Sequence, residues 1–146
     1  MGIFRRRTTP PADGVAEQAA TLAHAFVTGA AEEGEVFAYD VGDGPRLDRL
    51  IDEFVATNPS PEYVHSMVLS MGAYVGELLV RAGAGHWVMD PKVGAGVMSG
   101  ELMCFPMNKV AKRSGIGPEH SIAQLIEVAL ADKLPAEARE IPRQGA

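Results

Sequence analysis

Acid–base chemistry in this chain would centre on Glu77, which closes the run Gly72-Ala73-Tyr74-Val75-Gly76-Glu77. A carboxylate set among apolar residues can act as a general acid or base when its surroundings perturb its pKa, although structural networks do the same. No second acid stands at a spacing that marks it as a catalytic partner, so no catalytic residue is assigned. Glu77 also precedes Arg81 by four residues, the favourable order for a helical ion pair, and a desolvated form of that pair would hold neighbouring elements in place. The two glycines need a reason of their own, because each costs ~1 kcal/mol relative to alanine inside a helix. Spaced four apart, Gly72 and Gly76 share one face. Read structurally, they admit a close neighbour; read functionally, they leave room for a ligand beside Glu77.

Other candidates stand further along the chain. His86, Trp87 and Asp90 lie in one strand-like stretch, and Trp87 reads either as a core residue or as an interface anchor. Lys109, Lys112 and Arg113 cluster three positive charges on a short helix. They read as favourable charge at a helix C-terminus or as a patch for an anion or an acidic partner. Cys104 sits between Met103 and Phe105 with no adjacent base, the setting of a buried, inert thiol. Glu62-x-x-His65 has the spacing of half a di-iron site, but no second such pair exists and no metal or other cofactor is expected. P-loop, G-x-G-x-x-G, G-x-S-x-G and H-E-x-x-H motifs are all absent.

Composition sets the bounds. The 146 residues carry a formal net charge of −6, which argues against general nucleic-acid binding. A single cysteine rules out an intramolecular disulfide and fits a reducing compartment, so a cytoplasmic location is expected. No stretch without Asp, Glu, Lys or Arg is longer than that from Tyr63 to Gly76, which is shorter than the ~18 residues of a membrane span, and no transmembrane segment is expected. The opening Ile3-Phe4-Arg5-Arg6-Arg7 lacks the apolar core of a signal peptide. Its three arginines, at ~1 kcal/mol each near an anionic leaflet, would give only marginal membrane attachment.

The elements that must position these residues follow from periodicity and caps. Residues 1–12 and 135–146 lack apolar periodicity and are expected to be flexible tails around one domain at 13–134. A first helix is expected after Asp13, with Val15, Ala19, Leu22, Phe26 and Ala30 on one face. Val36-Phe37-Ala38-Tyr39 has the composition of a short strand. A second helix follows Pro45 and stops at Asn58-Pro59. Ser60-Pro61-Glu62 opens a third, running to about Arg81 and apolar around most of its circumference, the mark of a core helix. Three short strands then surround turns at residues 91–94 and 99–100. A helix follows from Pro106, and a last one carries the capping box Ser121-x-x-Gln124, with an apolar face that reaches Leu134. The fold class expected is α+β: a helix-rich single domain with a small antiparallel β-meander packed on helices.

From the third helix onward, over roughly residues 60–130, the chain resembles a family of small uncharacterised bacterial proteins. The likeness rests on G-x-x-x-G-E (Gly72, Gly76, Glu77), a strand tryptophan (Trp87), P-x-x-K-x-x-K-R (Pro106, Lys109, Lys112, Arg113) and the following Gly115. Similar layouts occur in immunity-type and regulatory proteins. The resemblance implies no reaction and no catalytic residue.

Two functional expectations result. The first is a non-enzymatic interaction or regulatory module that binds another protein or itself through His86, Trp87 and Asp90 with the basic helix beside them. The second is a ligand binder or enzyme with a cleft holding Glu77 and the cations of residues 109–113.

Overall fold

Ser60 and Pro61 start the central helix as their chemistry requires: the Ser60 Oγ accepts from the Tyr63 N–H at 3.4 Å and Pro61 occupies the first turn. The helix ends where Gly83 takes a φ of +80°, a left-handed conformation that glycine adopts without strain. In the computed structural model, which describes residues 12–131, this helix is α3 (Pro61–Arg81), preceded by α1 (Ala12–Glu32) and α2 (Gly44–Ala56). After it come β1 (His86–Asp90), β2 (Gly94–Ser99), β3 (Leu102–Cys104), α4 (Pro106–Gly115) and α5 (Ile122–Ala131). Five helices and one antiparallel sheet of order β1-β2-β3 make a helix-rich α+β domain, in agreement with the class read from the sequence. The register sets Trp87 opposite Val97, and Val97 opposite Cys104.

Helix α3 is the centre of the core. Residues 71–79 are all buried, whereas no residue of 61–70 is fully so. By length and composition α3 could cross a bilayer, yet half of its apolar stretch is buried inside the fold, the pattern of a core helix. It packs on α1, whose Val15, Ala19 and Ala23 are buried in the same core, and on α4. Helix α2 packs on α4 and α5 and hardly on α3, so α2 and α3 diverge from their connection at residues 57–60.

Two expectations are corrected. Val36-Phe37-Ala38-Tyr39 forms no strand and pairs with none among the described residues. Its β-type composition encodes a buried Phe37 between two exposed neighbours. Side chains take the place of a ladder: the Val36 carbonyl accepts from Arg46 Nη2 at 2.9 Å, and the Tyr39 N–H donates to Tyr74 Oη at 2.7 Å. Phe37 is buried against Phe26 and Tyr74, with ring centroids 5.1 and 5.5 Å away. Asp13, expected to precede the first helix, lies inside α1. Of the expected tails, Ala12 is helical and the rest lies outside the described residues, as does Leu134.

Candidate functional site

The glycine notch is filled from two directions. A methyl group at Gly76 would overlap Cη2 and Cζ2 of the Trp87 indole, and one at Gly72 would fall 2.6 Å from Met107 Cα. Gly76 therefore seats the tryptophan of β1 and Gly72 the backbone of α4, and the notch holds protein.

Glu77 is drawn into the same packing. Its Oε1 accepts from Trp87 Nε1 at 2.9 Å, and its Oε2 lies 3.5 Å from Arg81 Nε. The carboxylate is 8% exposed and Trp87 3%. Arg81 covers the ring of Tyr39 at 3.7 Å, Tyr39 stacks on Tyr74 with centroids 4.7 Å apart, and the Tyr74 hydroxyl donates to Asp43 Oδ2 at 2.6 Å. Burial pushes both phenols above their ordinary pKa; for Tyr74 the Asp43 carboxylate adds to the effect, since ionisation would set two negative charges face to face. Tyr39 holds this position with a φ of +59°, unusual for a bulky residue. A continuous chain, Asp43–Tyr74–Tyr39–Arg81–Glu77–Trp87, thus crosses the molecule as a structural network.

Arg113 belongs to a second network. Its guanidinium reaches Asp52 Oδ2 at 2.6 Å and Asp48 Oδ1 at 3.5 Å and donates to the Pro118 carbonyl at 3.0 Å, while its side chain is 9% exposed. Asp48 in turn accepts from the Ile122 N–H at 2.8 Å, the Ala123 N–H at 3.1 Å and the Ser121 hydroxyl at 3.1 Å. The start of α5 is therefore capped jointly by Asp48 of α2 and by Ser121, whose Oγ accepts from the Gln124 N–H at 3.0 Å. Sequence-local capping rules see Ser121 alone.

Of the expected site residues, Glu77 and Trp87 are brought into direct contact. Trp87, Glu77 and Arg113 face inward, and Asp90 closes the turn after β1 by accepting from the N–H groups of Lys92 and Val93 at 2.8 and 2.9 Å. His86 and Lys112 are exposed, Lys109 is half-buried, and neither lysine forms an ion pair among the described residues. No hydrogen bond or ion pair among the described residues links the Glu77 network to the Arg113 network. The described residues include no group of three metal-ligating side chains.

Two of the concavities among the described residues lie elsewhere. The smaller, about 190 Å³, lies between the meander and α5 and is lined by Val97, Cys104, Leu125 and Ala129 among others. That is below the ~300 Å³ of an ordinary ligand pocket. Burial raises the pKa of the Cys104 thiol there, which keeps it protonated and unreactive. The larger, about 790 Å³, is an open groove where the C-terminal half of α1, the end of α2 and the first half of α3 diverge. Phe26, Leu50, Phe54, Met67 and Met71 line it together with Tyr63, which is 69% exposed. Along it stand Glu32, Glu33, Glu35 and Glu53. Arg46 and Arg49 grip Glu35 at 3.0 and 3.2 Å and hold its carboxyl below the usual range, and Arg49 also meets Glu53 at 3.1 Å. Glu32 and Glu33 have no ion-pair partner among the described residues.

This groove was not legible in the sequence because Phe26 lies on the apolar face of the first helix, where it is expected to pack inward. The signal was Tyr63 and Met67, apolar and outside the main seam of α3.

No protein-family model matches the chain, and no curated protein or solved structure compared with it matches either.

Proposed function

We propose that this chain is a non-enzymatic protein-interaction or regulatory module, acting in the cytoplasm, that engages its partner through the groove between α1, α2 and α3. One observation carries the reading: large apolar side chains (Phe26, Phe54, Tyr63, Met67) line an open groove beside carboxylates left without counter-charge. Contiguous apolar surface rimmed by polar groups marks binding sites, exposed aromatics supply interface hot spots, and a groove between helices suits an apolar-faced segment. The motif resemblance to small bacterial immunity-type and regulatory proteins implies no reaction and is consistent with this role. The rival reading requires a cleft holding Glu77 with a cation of residues 109–113, and those residues line neither of the two concavities described above.

The test is a photo-crosslinking residue in place of Tyr63, with the same residue in place of Lys112 as control, in the full chain and in cells that express it. A discrete protein adduct from position 63, absent from position 112 and lost on adding Met67→Glu, is expected. Adducts equal at both positions, or none from position 63, would overturn the reading.

A further inference from the structure

The groove sets two requirements on an occupant: large apolar side chains for its floor and positive charge for Glu32 and Glu33. Ile3-Phe4-Arg5-Arg6-Arg7 meets both within five consecutive residues of this sequence. The chain has 13 Lys and Arg against 19 Asp and Glu, and three of those cations stand together in this one segment, so charge favours seating it on an acidic face. Resting on the groove being an interaction surface, we propose that residues 3–7 of a second copy of the chain occupy it. Ile3 and Phe4 lie over Phe26, Phe54 and Met67, and the three arginines lie against Glu32 and Glu33.

Reach decides between the chain's own segment and that of a second copy. Glu32 lies twenty residues into α1 from Ala12, about 30 Å along a helix that rises 1.5 Å per residue. The seven steps from Ala12 back to Arg5 span at most about 25 Å when fully extended. A segment folding back along its own helix leaves even the Arg5 backbone about 5 Å short of Glu32, and it carries Ile3 and Phe4 past the arginines toward the two acids, the reverse of the order the groove asks for. A second copy carries no such tether. Reciprocal seating, with each copy giving one segment and one groove, closes a twofold dimer.

Sedimentation velocity on the full chain, from low to high micromolar concentration, tests this. The expected result is a concentration-dependent dimer weakened by salt. R5E/R6E/R7E and Ile3→Ser/Phe4→Ser each raise its Kd about tenfold or more, and none of the packed core residues is altered in either. Combining R5E/R6E/R7E with E32K/E33K restores association. A monomer at every concentration overturns the inference, as does a dimer indifferent to residues 3–7. So does loss of binding to phosphatidylserine vesicles in R5E/R6E/R7E with sedimentation unchanged, which assigns the segment to a membrane surface. Failure here is separable from failure of the groove reading. A dimer or Tyr63-position adduct lost on Met67→Glu but unmoved by residues 3–7 removes this proposal alone, whereas indifference of both to Met67→Glu removes the groove itself.

Discussion

The indole N–H of Trp87 donates to Glu77 Oε1 at 2.9 Å within the core, and the ring that carries it lies in the gap left by Gly76 one residue before that acid. One turn of α3 thus supplies both the space for the tryptophan and the acceptor for its polar atom. The meander is keyed to the helix by shape and by hydrogen bonding at the same point.

Removing the acceptor tests the second half of that arrangement. Glu77→Leu leaves a buried indole N–H unpaired and is expected to destabilise the fold by about 1–3 kcal/mol. Glu77→Gln keeps an acceptor oxygen and loses less. Urea denaturation of both variants reads the difference, and equal losses would mean that charge rather than the hydrogen bond matters at this site.

Adding a methyl group tests the first half. Gly76→Ala gains ~1 kcal/mol of helix propensity yet drives a methyl into a rigid ring, and Gly72→Ala drives one into the backbone of α4. Both are expected to destabilise by about 1–3 kcal/mol or more. Gly29→Ala, in α1 with nothing within 4 Å of the added methyl, should instead gain about 0.5–1 kcal/mol. Thermal melts of the three variants give opposite signs if packing governs the notch.

The cap on α5 gives a third expectation. Asp48→Ala strips three acceptor contacts from the start of α5 and one counter-charge from the largely buried Arg113, at a cost of about 2–3 kcal/mol. Hydrogen exchange at Ile122 and Ala123 should rise more than exchange in α3, whereas a uniform rise would assign Asp48 a global role.

Alkaline pH should weaken the fold through its phenols. Tyr39 and Tyr74 have raised pKa values in the folded chain, so above the unfolded value of about 10 the native state binds more protons than the unfolded one, and stability falls as pH rises. Denaturant midpoints at neutral pH and above pH ~10, alongside phenolate absorbance, check this. Tyr74→Phe should be less stable at neutral pH, because Asp43 and the Tyr39 N–H lose their partner, and should flatten the alkaline decline.

Local signals in the sequence carried much of the architecture. Ser60-Pro61 started α3, the apolar circumference of the helix running to about Arg81 marked it as the core, and strand patterns from His86 onward marked the meander, because caps, periodicity and turns act between residues close in the chain. Interior glycines at 72 and 76 announced a close approach. They could not say that one admits an indole and the other a helix backbone, because that depends on elements eleven and more residues away.

Charge was read least well, and for one reason. A sequence shows where charges stand but not which of them are already paired. Lys109, Lys112 and Arg113 looked like one patch until the fold brought Asp48 and Asp52 onto Arg113. Glu77 looked available until β1 placed the Trp87 N–H on it. Conversely, nothing in the sequence singles out Glu32 and Glu33; the divergence of α1, α2 and α3 sets them beside an apolar groove. The sequence alone determined which residues are apolar, which are charged and where α3 and α5 begin. Only the tertiary structure decided which charges neutralise one another and which apolar faces stay uncovered, since both depend on contacts between segments far apart in the chain.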